Sequence, residues 1–347
     1  MAVTADSRSR PATAAPARAG VATVAAAVRS RVYLPACAIA GVGAGLIGVG
    51  WATHWGGSDF RGTFSDLRVV AIGPATLIVL GVLMVAERCW PAQRRKPLAR
   101  GYRHDVLFTI LNATVTVPFV AALTLSFAEV IRTRLPWLTF PRVAAVPHAL
   151  VIAAIFVAMD GGNYLAHLAN HRVNALWRFH EVHHSQEDMS VLTVFRTHPL
   201  VHISYLIALV PGIVLIANGV VPTTLLVVYG GAVALAHSNL RLGFGPLGRV
   251  FVSPNYHRIH HRLEGRQDVN LGFALTIWDQ LFGTAVFPTA ATVDLATGLP
   301  GRTFIDEYSH PRARHLRVFA AQLVAPFRPL RQRPRRVDDD ALESSAS

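Results

Sequence analysis

Charge is scarce in this 347-residue chain, where 15% of residues are charged and 52% are hydrophobic, with a mean hydropathy of +0.38. A soluble protein of this size needs more charge to cover its surface, so much of the apolar material is expected to face lipid. Acidic residues are the scarcer sign, 20 Asp+Glu against 33 Lys+Arg, for a net charge of +13. In so apolar a chain that imbalance points to membrane topology before nucleic acid, because the basic residues fall in tails and loops. Cysteine is nearly absent. Cys37 lies in an apolar run and Cys89 in a basic loop, which excludes a disulfide framework and a cysteine metal site. No cleavable signal peptide is expected in residues 1–31, which are rich in Ala, Thr and Pro with scattered Arg and hold no strong apolar core.

What is present is a series of long apolar runs. Four of them, 32–53, 69–86, 106–128 and 143–159, carry no charge, and each is about long enough to cross a hydrocarbon core of roughly 30 Å as a helix. A fifth, 201–236, breaks near Asn218 and Gly219 and contains Pro211 and Pro222, which predicts a helical hairpin whose ends return to one side. Loop charge orients these runs. Arg8, Arg10, Arg18, Arg29 and Arg31 precede the first, and Arg88, Arg94, Arg95, Lys96, Arg100 and Arg103 follow the second, whereas the alternate loops hold fewer. The N-terminus is therefore expected in the cytoplasm, with residues 160–200 and 237–347 on the same side. The expected fold is all-α: a polytopic bundle of about four spans plus a hairpin, capped by a cytoplasmic histidine-rich helical region with a dinuclear metal site. Residues 1–31 read as a disordered basic tail, 32–310 as the membrane domain, and 311–347 as a basic, then acidic, disordered tail. The Ala- and Arg-rich composition suggests a high-GC bacterium and hence its cytoplasmic membrane.

Histidine is the residue in excess. Of 16 in the chain, 11 lie between His167 and His261. His167 and His171 form HxxxH; His180, His183 and His184 form HxxHH, and so do His257, His260 and His261. On a helix the second and third histidines of HxxHH fall at about −60° and +40° from the first, so one box directs three imidazoles to one region while dividing them between two neighbouring ions. Eight histidines in three boxes exceed what one ion with an open position takes, which is roughly three to five protein ligands, and so predict two. His54, His104, His148, His310 and His315 stand outside the boxes and are expected to be ordinary interfacial or hydrogen-bonded residues.

The stretch Met159–His171, the segment Leu176–Ser185 around the first HxxHH, Arg196-Thr-His-Pro199, His237-Ser-Asn239, Ser253–His261, Asn270-Leu-Gly272 and Trp278–Thr284 together resemble the fatty acid hydroxylase/sterol desaturase superfamily. The resemblance covers about residues 70–285. One departure is Leu168, where the family often carries Arg directly after the first histidine of the first box. The resemblance implies a membrane-bound di-iron centre that uses O2 and two external electrons to hydroxylate or desaturate a lipid. It implies as ligands His167, His171, His180, His183, His184, His237, His257, His260 and His261, with His198 of the Arg-x-His-Pro element as a further candidate. Pro199 would start a helix there and turn His198 elsewhere; His202 has no support from the family. Imidazole suits zinc as well as iron, but zinc has no accessible redox change. Asp160, Glu181, Asp188 and Asp279 are the carboxylates available to accept the second ring N–H of a bound histidine, Asp160 foremost because an acid closing an apolar run needs a partner. Tyr164, Trp177, Phe195, Tyr256 and Trp278 are aromatic candidates for lining a substrate pocket open to the bilayer.

Other chemistries fit less well. A zinc protease would need His-Glu-x-x-His, and Glu181 sits at the wrong spacing. A haem protein would need axial histidines on facing spans, and a metal transporter would need ligands near the midplane, where these runs have few. Neither His-Pro-Gly-Gly nor any other cytochrome b5 signature is visible, so a separate electron donor of ferredoxin, cytochrome b5 or reductase type is expected. The sequence is compatible with sterols, hopanoid-like lipids, acyl chains, carotenoids or alkylglycerols as substrate, with either hydroxylation or desaturation, and with any oligomeric state.

Overall fold

Pro74 opens helix α1 (Pro74–Cys89), its fixed φ suiting the first helical position. Helix α2 (Tyr102–Leu111) passes through one π-helical turn, Asn112–Thr116, into α3 (Val117–Arg134). Helix α4 (His148–Arg172) is followed, after the single extended residue Val173, by α5 (Asn174–His184). A 3-10 turn, Val191–Phe195, and a helical turn, His202–Tyr205, come next. Then follow α6 (Thr223–His237), α7 (Pro254–His260), α8 (Ile277–Phe282) and α9 (His315–Val324). This is a computed structural model that describes residues 73–94, 101–138, 146–206, 223–299 and 315–327. Among the described residues strand pairing is limited to the isolated bridges Pro91–Leu240, Phe251–Leu275 and Arg262–Thr297, so the architecture is helical.

Among the described residues one helix is long and apolar enough to cross a membrane, the 24-residue segment Ala149–Arg172 of α4. It overlaps the fourth apolar run at 149–159 and continues past Asp160 to Arg172, so the helix does not end where the charge-free run ends. The second run forms α1, whose 16 residues extend about 24 Å at 1.5 Å per residue, short of a core of roughly 30 Å. In the third run the π-helical turn divides the rod into α2 and α3. The first run, the hairpin's break at Asn218 and Gly219, and residues 1–31 lie outside the described residues. Part of 311–347 is folded: Phe319 of α9 meets Phe108 edge-on at 4.8 Å, and Val318 is buried. His315, Val318, Phe319 and Gln322 recur at three- and four-residue spacing and are buried or half-buried, so one face of the helix is covered while Leu316 on the other side is exposed.

Helices α4 to α7 converge on a core that is mostly polar. Apolar clusters flank it: Met159, Tyr229, Val233 and Ala274 on one side, Ala236, Val252 and Tyr256 on another. Between them are nine buried histidines, which require a different explanation from hydrophobic packing.

Candidate metal centre

Local geometry divides the two HxxHH boxes. The ring nitrogens of His167, His171, His180, His184 and His260 lie within 4.8 Å of one another, and so do those of His183, His237, His257 and His261. Each box sends its i, i+4 pair to one group and its i+3 member to the other: α5 places His180 and His184 in the first and His183 in the second, while α7 does the reverse with His257, His261 and His260. The 100° arc of an i, i+3, i+4 triplet makes this division unavoidable when a helix lies between two sites. The groups adjoin, with the rings of His184 and His261 stacked at 4.5 Å and those of His260 and His261 meeting edge-on at 5.0 Å.

The ring nitrogens themselves test whether metal suits these residues. Nδ1 of His167, His237 and His260 bonds the carbonyls of Leu271, Val233 and Val269 at 2.8, 2.8 and 2.9 Å. A carbonyl only accepts, so Nδ1 donates and the neutral ring carries its lone pair on Nε2, facing the cluster. Nε2 of His237 lies 3.0 Å from Nε2 of both His183 and His257, and Nε2 of His167 lies 3.0 Å from that of His180. Nε2 of His171, His260 and His261 and both ring nitrogens of His184 are buried with no hydrogen-bond partner. Each such group costs about 1–3 kcal/mol unless something electrophilic meets it. Burial, reinforced by neighbouring imidazoles, holds His180, His183, His184, His257, His260 and His261 well below the usual histidine pKa, which keeps them in the neutral, ligating form. Converging lone pairs in excess of N–H donors are what a pair of cations would satisfy.

The surrounding loops explain the remaining motifs. Asn270 adopts a left-handed φ of 54°, held by its own side chain: Nδ2 donates to the carbonyls of Tyr256 and Val286, and Oδ1 accepts from Val286 N at 2.6 Å. That turn aims the Leu271 carbonyl at His167. Gly272 has no room for a side chain, since a β-carbon would stand 2.5 Å from the Leu275 carbonyl oxygen. Asp279 accepts from the N–H groups of Leu271 and Gly272, at 2.8 Å each, and from Thr284. Asp279 thus positions the peptide that holds His167 rather than touching a histidine. Asp160 differs in the same way from the expectation of a direct histidine partner. Its carboxylate accepts from Tyr229 O–H, from the N–H groups of Ala274 and Leu275 and from Trp278 Nε1, closing the 274–278 loop against α4. Backbone carbonyls fill the role foreseen for the acids. Glu181 is half-buried on α5 and belongs to neither histidine group.

His198 stands apart from both groups. Its Nδ1 accepts from Leu200 N at 3.2 Å, capping the turn that Pro199 starts, and its Nε2 bonds the Leu323 carbonyl of α9 at 3.1 Å. With both nitrogens turned to backbone it is left out of the ligand set proposed below. His104 and His315 meet edge-on at 5.5 Å, also outside the groups.

One buried pair escaped the sequence reading. Arg196 and Asp105, both fully buried, pair at 2.6 Å, and Arg196 also donates to Ser185 and to the Gly101 carbonyl while Gln186 donates to Asp105. This ties the start of α2 to the end of the first HxxHH helix. The available signal was the one applied to Asp160: an acid abutting an apolar run.

A cavity of about 350 Å³ opens onto both groups, touching His167 and His180 of the first and His183, His237 and His257 of the second. Its walls come from Val79 and Leu80 of α1 and Leu226, Val227, Gly230 and Gly231 of α6. Of the five aromatic candidates, Phe195 lines it; Tyr205, Tyr229 and Phe273 are the other aromatic lining residues. Trp177 instead packs against His171 and His184, at 5.0 and 5.3 Å. His202 and His237, at the two ends of the expected hairpin, both reach the cavity.

Comparison with known proteins agrees with this site. The family model for fatty acid hydroxylase matches residues 152–284, a span that contains all nine clustered histidines. The ornithine lipid hydroxylase OlsE of Rhizobium tropici is 28% identical over 269 residues, covering 72% of this chain and 78% of that protein. Alkylglycerol monooxygenases of Danio rerio and Homo sapiens are 34% and 33% identical, over 37% of this chain and 29% of their own length. No solved structure matches the chain significantly. The segment 152–284 therefore carries the fatty acid hydroxylase family pattern, and the hydroxylase and monooxygenase relatives and the clustered histidines agree with it.

Proposed function

We propose that this protein is a multi-pass membrane, O2-dependent lipid hydroxylase with two iron ions, one held by His167, His171, His180, His184 and His260 and the other by His183, His237, His257 and His261. The observation that carries the reading is the apolar cavity that ends on histidines of both groups. Two irons there would supply the redox change for the overall conversion of R–H, O2, two electrons and two protons into R–OH and water. The chain's own residues do the rest. Carbonyls of Leu271, Val233 and Val269 fix three imidazoles in one tautomer. Val79, Leu80, Leu226 and Val227 exclude water and hold a hydrocarbon chain against the histidines. The electrons come from a separate donor protein, and the histidine cluster lies at the cytoplasmic face. That the relatives are a hydroxylase and monooxygenases favours hydroxylation over desaturation. The broad match to an ornithine lipid hydroxylase makes an acylated polar lipid the first substrate to try, with alkylglycerols second.

The test is to supply iron-loaded protein in lipid nanodiscs with an electron donor and isotopically heavy O2, then weigh the lipids by mass spectrometry. One heavy oxygen atom on a lipid chain is the expected result. Fully iron-loaded, reducible protein that labels neither acylated aminolipids nor alkylglycerols would overturn the reading. Gly230 offers a sharper probe of the cavity. A β-carbon there meets nothing within 4 Å, so Gly230→Phe should project into the cavity without disturbing the helix. Iron content should stay unchanged while turnover of long-chain substrate falls by about tenfold or more through lost chain positioning, read by the same assay.

A further inference from the structure

We propose that segments 247–251 and 277–282 form an apolar foot immersed in the bilayer leaflet beside α4, with lipid as its partner, so that the histidine cluster is anchored at the membrane surface. The inference rests on the reading of α4 as a span, and not on the metal.

The position of α8 carries it. Leu150, Val157 and Leu165 of α4 are exposed at spacings that put them on one stripe of the helix, the side expected to face lipid. Gly161 falls on that stripe, four residues from both Val157 and Leu165, yet it is buried, because the Trp278 indole covers it: a β-carbon at 161 would stand 2.8 Å from Trp278 Cζ2. One turn further, Tyr164 stacks on Phe282 at 5.2 Å, and Trp278 Nε1 donates to Asp160 at 3.0 Å. Helix α8 is therefore clamped to the lipid-facing side of α4. The 24-residue apolar segment of α4 is about 36 Å long and exceeds the hydrocarbon core by only about 6 Å. Residues 161–164 lie at least eight residues, about 12 Å, from its end at Arg172, which places α8 at membrane depth.

Its outward side suits that depth. Leu281 is 71% exposed, Phe282 50% and Ile277 39%, and the bridge Phe251–Leu275 sets Leu247, Val250 and Phe251 beside them. Polar groups are satisfied internally, as a lipid environment demands: Val252 N donates to the Ala274 carbonyl, Thr276 N to that of Val250, and the Gln280 amide to those of Arg249 and Thr276. Asp279 is turned inward to Leu271 and Gly272. Arg249, its guanidinium 4.1 Å over Phe287, carries an aliphatic stem long enough to snorkel toward headgroup phosphates.

The test uses the full chain with Cys37 and Cys89 changed to Ser, carrying one spin label through Leu281→Cys or Phe251→Cys, reconstituted in phosphatidylcholine/phosphatidylglycerol vesicles. Val157→Cys is the lipid-facing control and Arg266→Cys the aqueous one. Collision with a water-soluble nickel chelate should be about tenfold weaker at 281 and 251 than at 266, because a polar chelate avoids hydrocarbon, and collision with O2 should be correspondingly stronger. A shielded label at 157 with a chelate-accessible label at 281 overturns the foot alone and marks a surface open to a water-soluble protein. Dipolar broadening at 281 overturns it in favour of a second copy of the chain. A chelate-accessible 157 overturns the span reading and the foot with it. None of these readouts depends on metal or turnover, so failure of the hydroxylase reading is separately visible.

Discussion

A His257→Ala/His261→Ala variant is expected to bind half the metal of the wild type, one ion per chain in place of two, and to lose turnover entirely. The second group has four histidines, and the substitution leaves it His183 and His237. Two ligands do not hold an ion against water: if a four-ligand site is worth about 10–16 kcal/mol, each ligand contributes about 3 kcal/mol, and losing two weakens binding roughly ten-thousandfold. The first group keeps all five of its members, so its ion stays. Elemental mass spectrometry of protein purified in mild detergent reads the stoichiometry directly. His198→Ala is the informative control, because its nitrogens bond Leu200 and Leu323; it should retain both ions. Two ions in the double variant, or loss of metal in the His198 variant, would contradict the division of the histidines into these two groups.

Asp105→Ala should cause a large loss of stability. Arg196 and Asp105 are both fully buried and pair at 2.6 Å. Removing one partner strands the other's charge, at about 3–5 kcal/mol, out of a total stability of about 5–15 kcal/mol. In thermal terms that is roughly 6–20 °C for a domain of this size. Replacing both partners, as Asp105→Leu/Arg196→Met, should recover most of the loss, since the penalty comes from the uncompensated charge rather than from the missing attraction. Recovery will be incomplete because Arg196 also donates to Ser185 and Gly101, and Gln186 donates to Asp105. Melting in detergent, followed for the two single variants and the double, completes the cycle. Strictly additive losses would show that the pair is not coupled. Because Ser185 and Gln186 directly follow the first HxxHH helix, the single variants should also bind metal less tightly.

The histidine boxes were legible because their information is local. Spacings of three and four residues determine where imidazole rings point on any helix, so the division of His180, His183 and His184 between two sites follows from the chain itself once two sites exist. The same holds for Pro199 turning His198 away and for Ser253-Pro254, where the Ser253 hydroxyl accepts from Tyr256 N at 3.2 Å and starts α7. Asn270-Leu-Gly272 was visible as a motif, although its purpose, aiming a carbonyl at a histidine 104 residues earlier, was not.

What only the tertiary structure decided involves partners far apart in sequence. Asp160 looked like a histidine partner from its place on α4, but its acceptors are engaged by Tyr229, Ala274, Leu275 and Trp278, 69 to 118 residues away. Arg196 finds Asp105 across 91 residues. Neither pairing leaves a periodic trace, because a carboxylate is satisfied by whichever donors packing brings within about 3 Å. Span boundaries belong to the same class. Hydropathy measures how apolar a run is, whereas the start of α1 at Pro74 and the π-helical turn at Asn112–Thr116, where one continuous rod shifts register between α2 and α3, are features of the folded backbone. The cluster's chemistry is written in residue spacing; the cavity, the buried ion pair and the foot beside α4 arise only when helices distant in the chain are packed together.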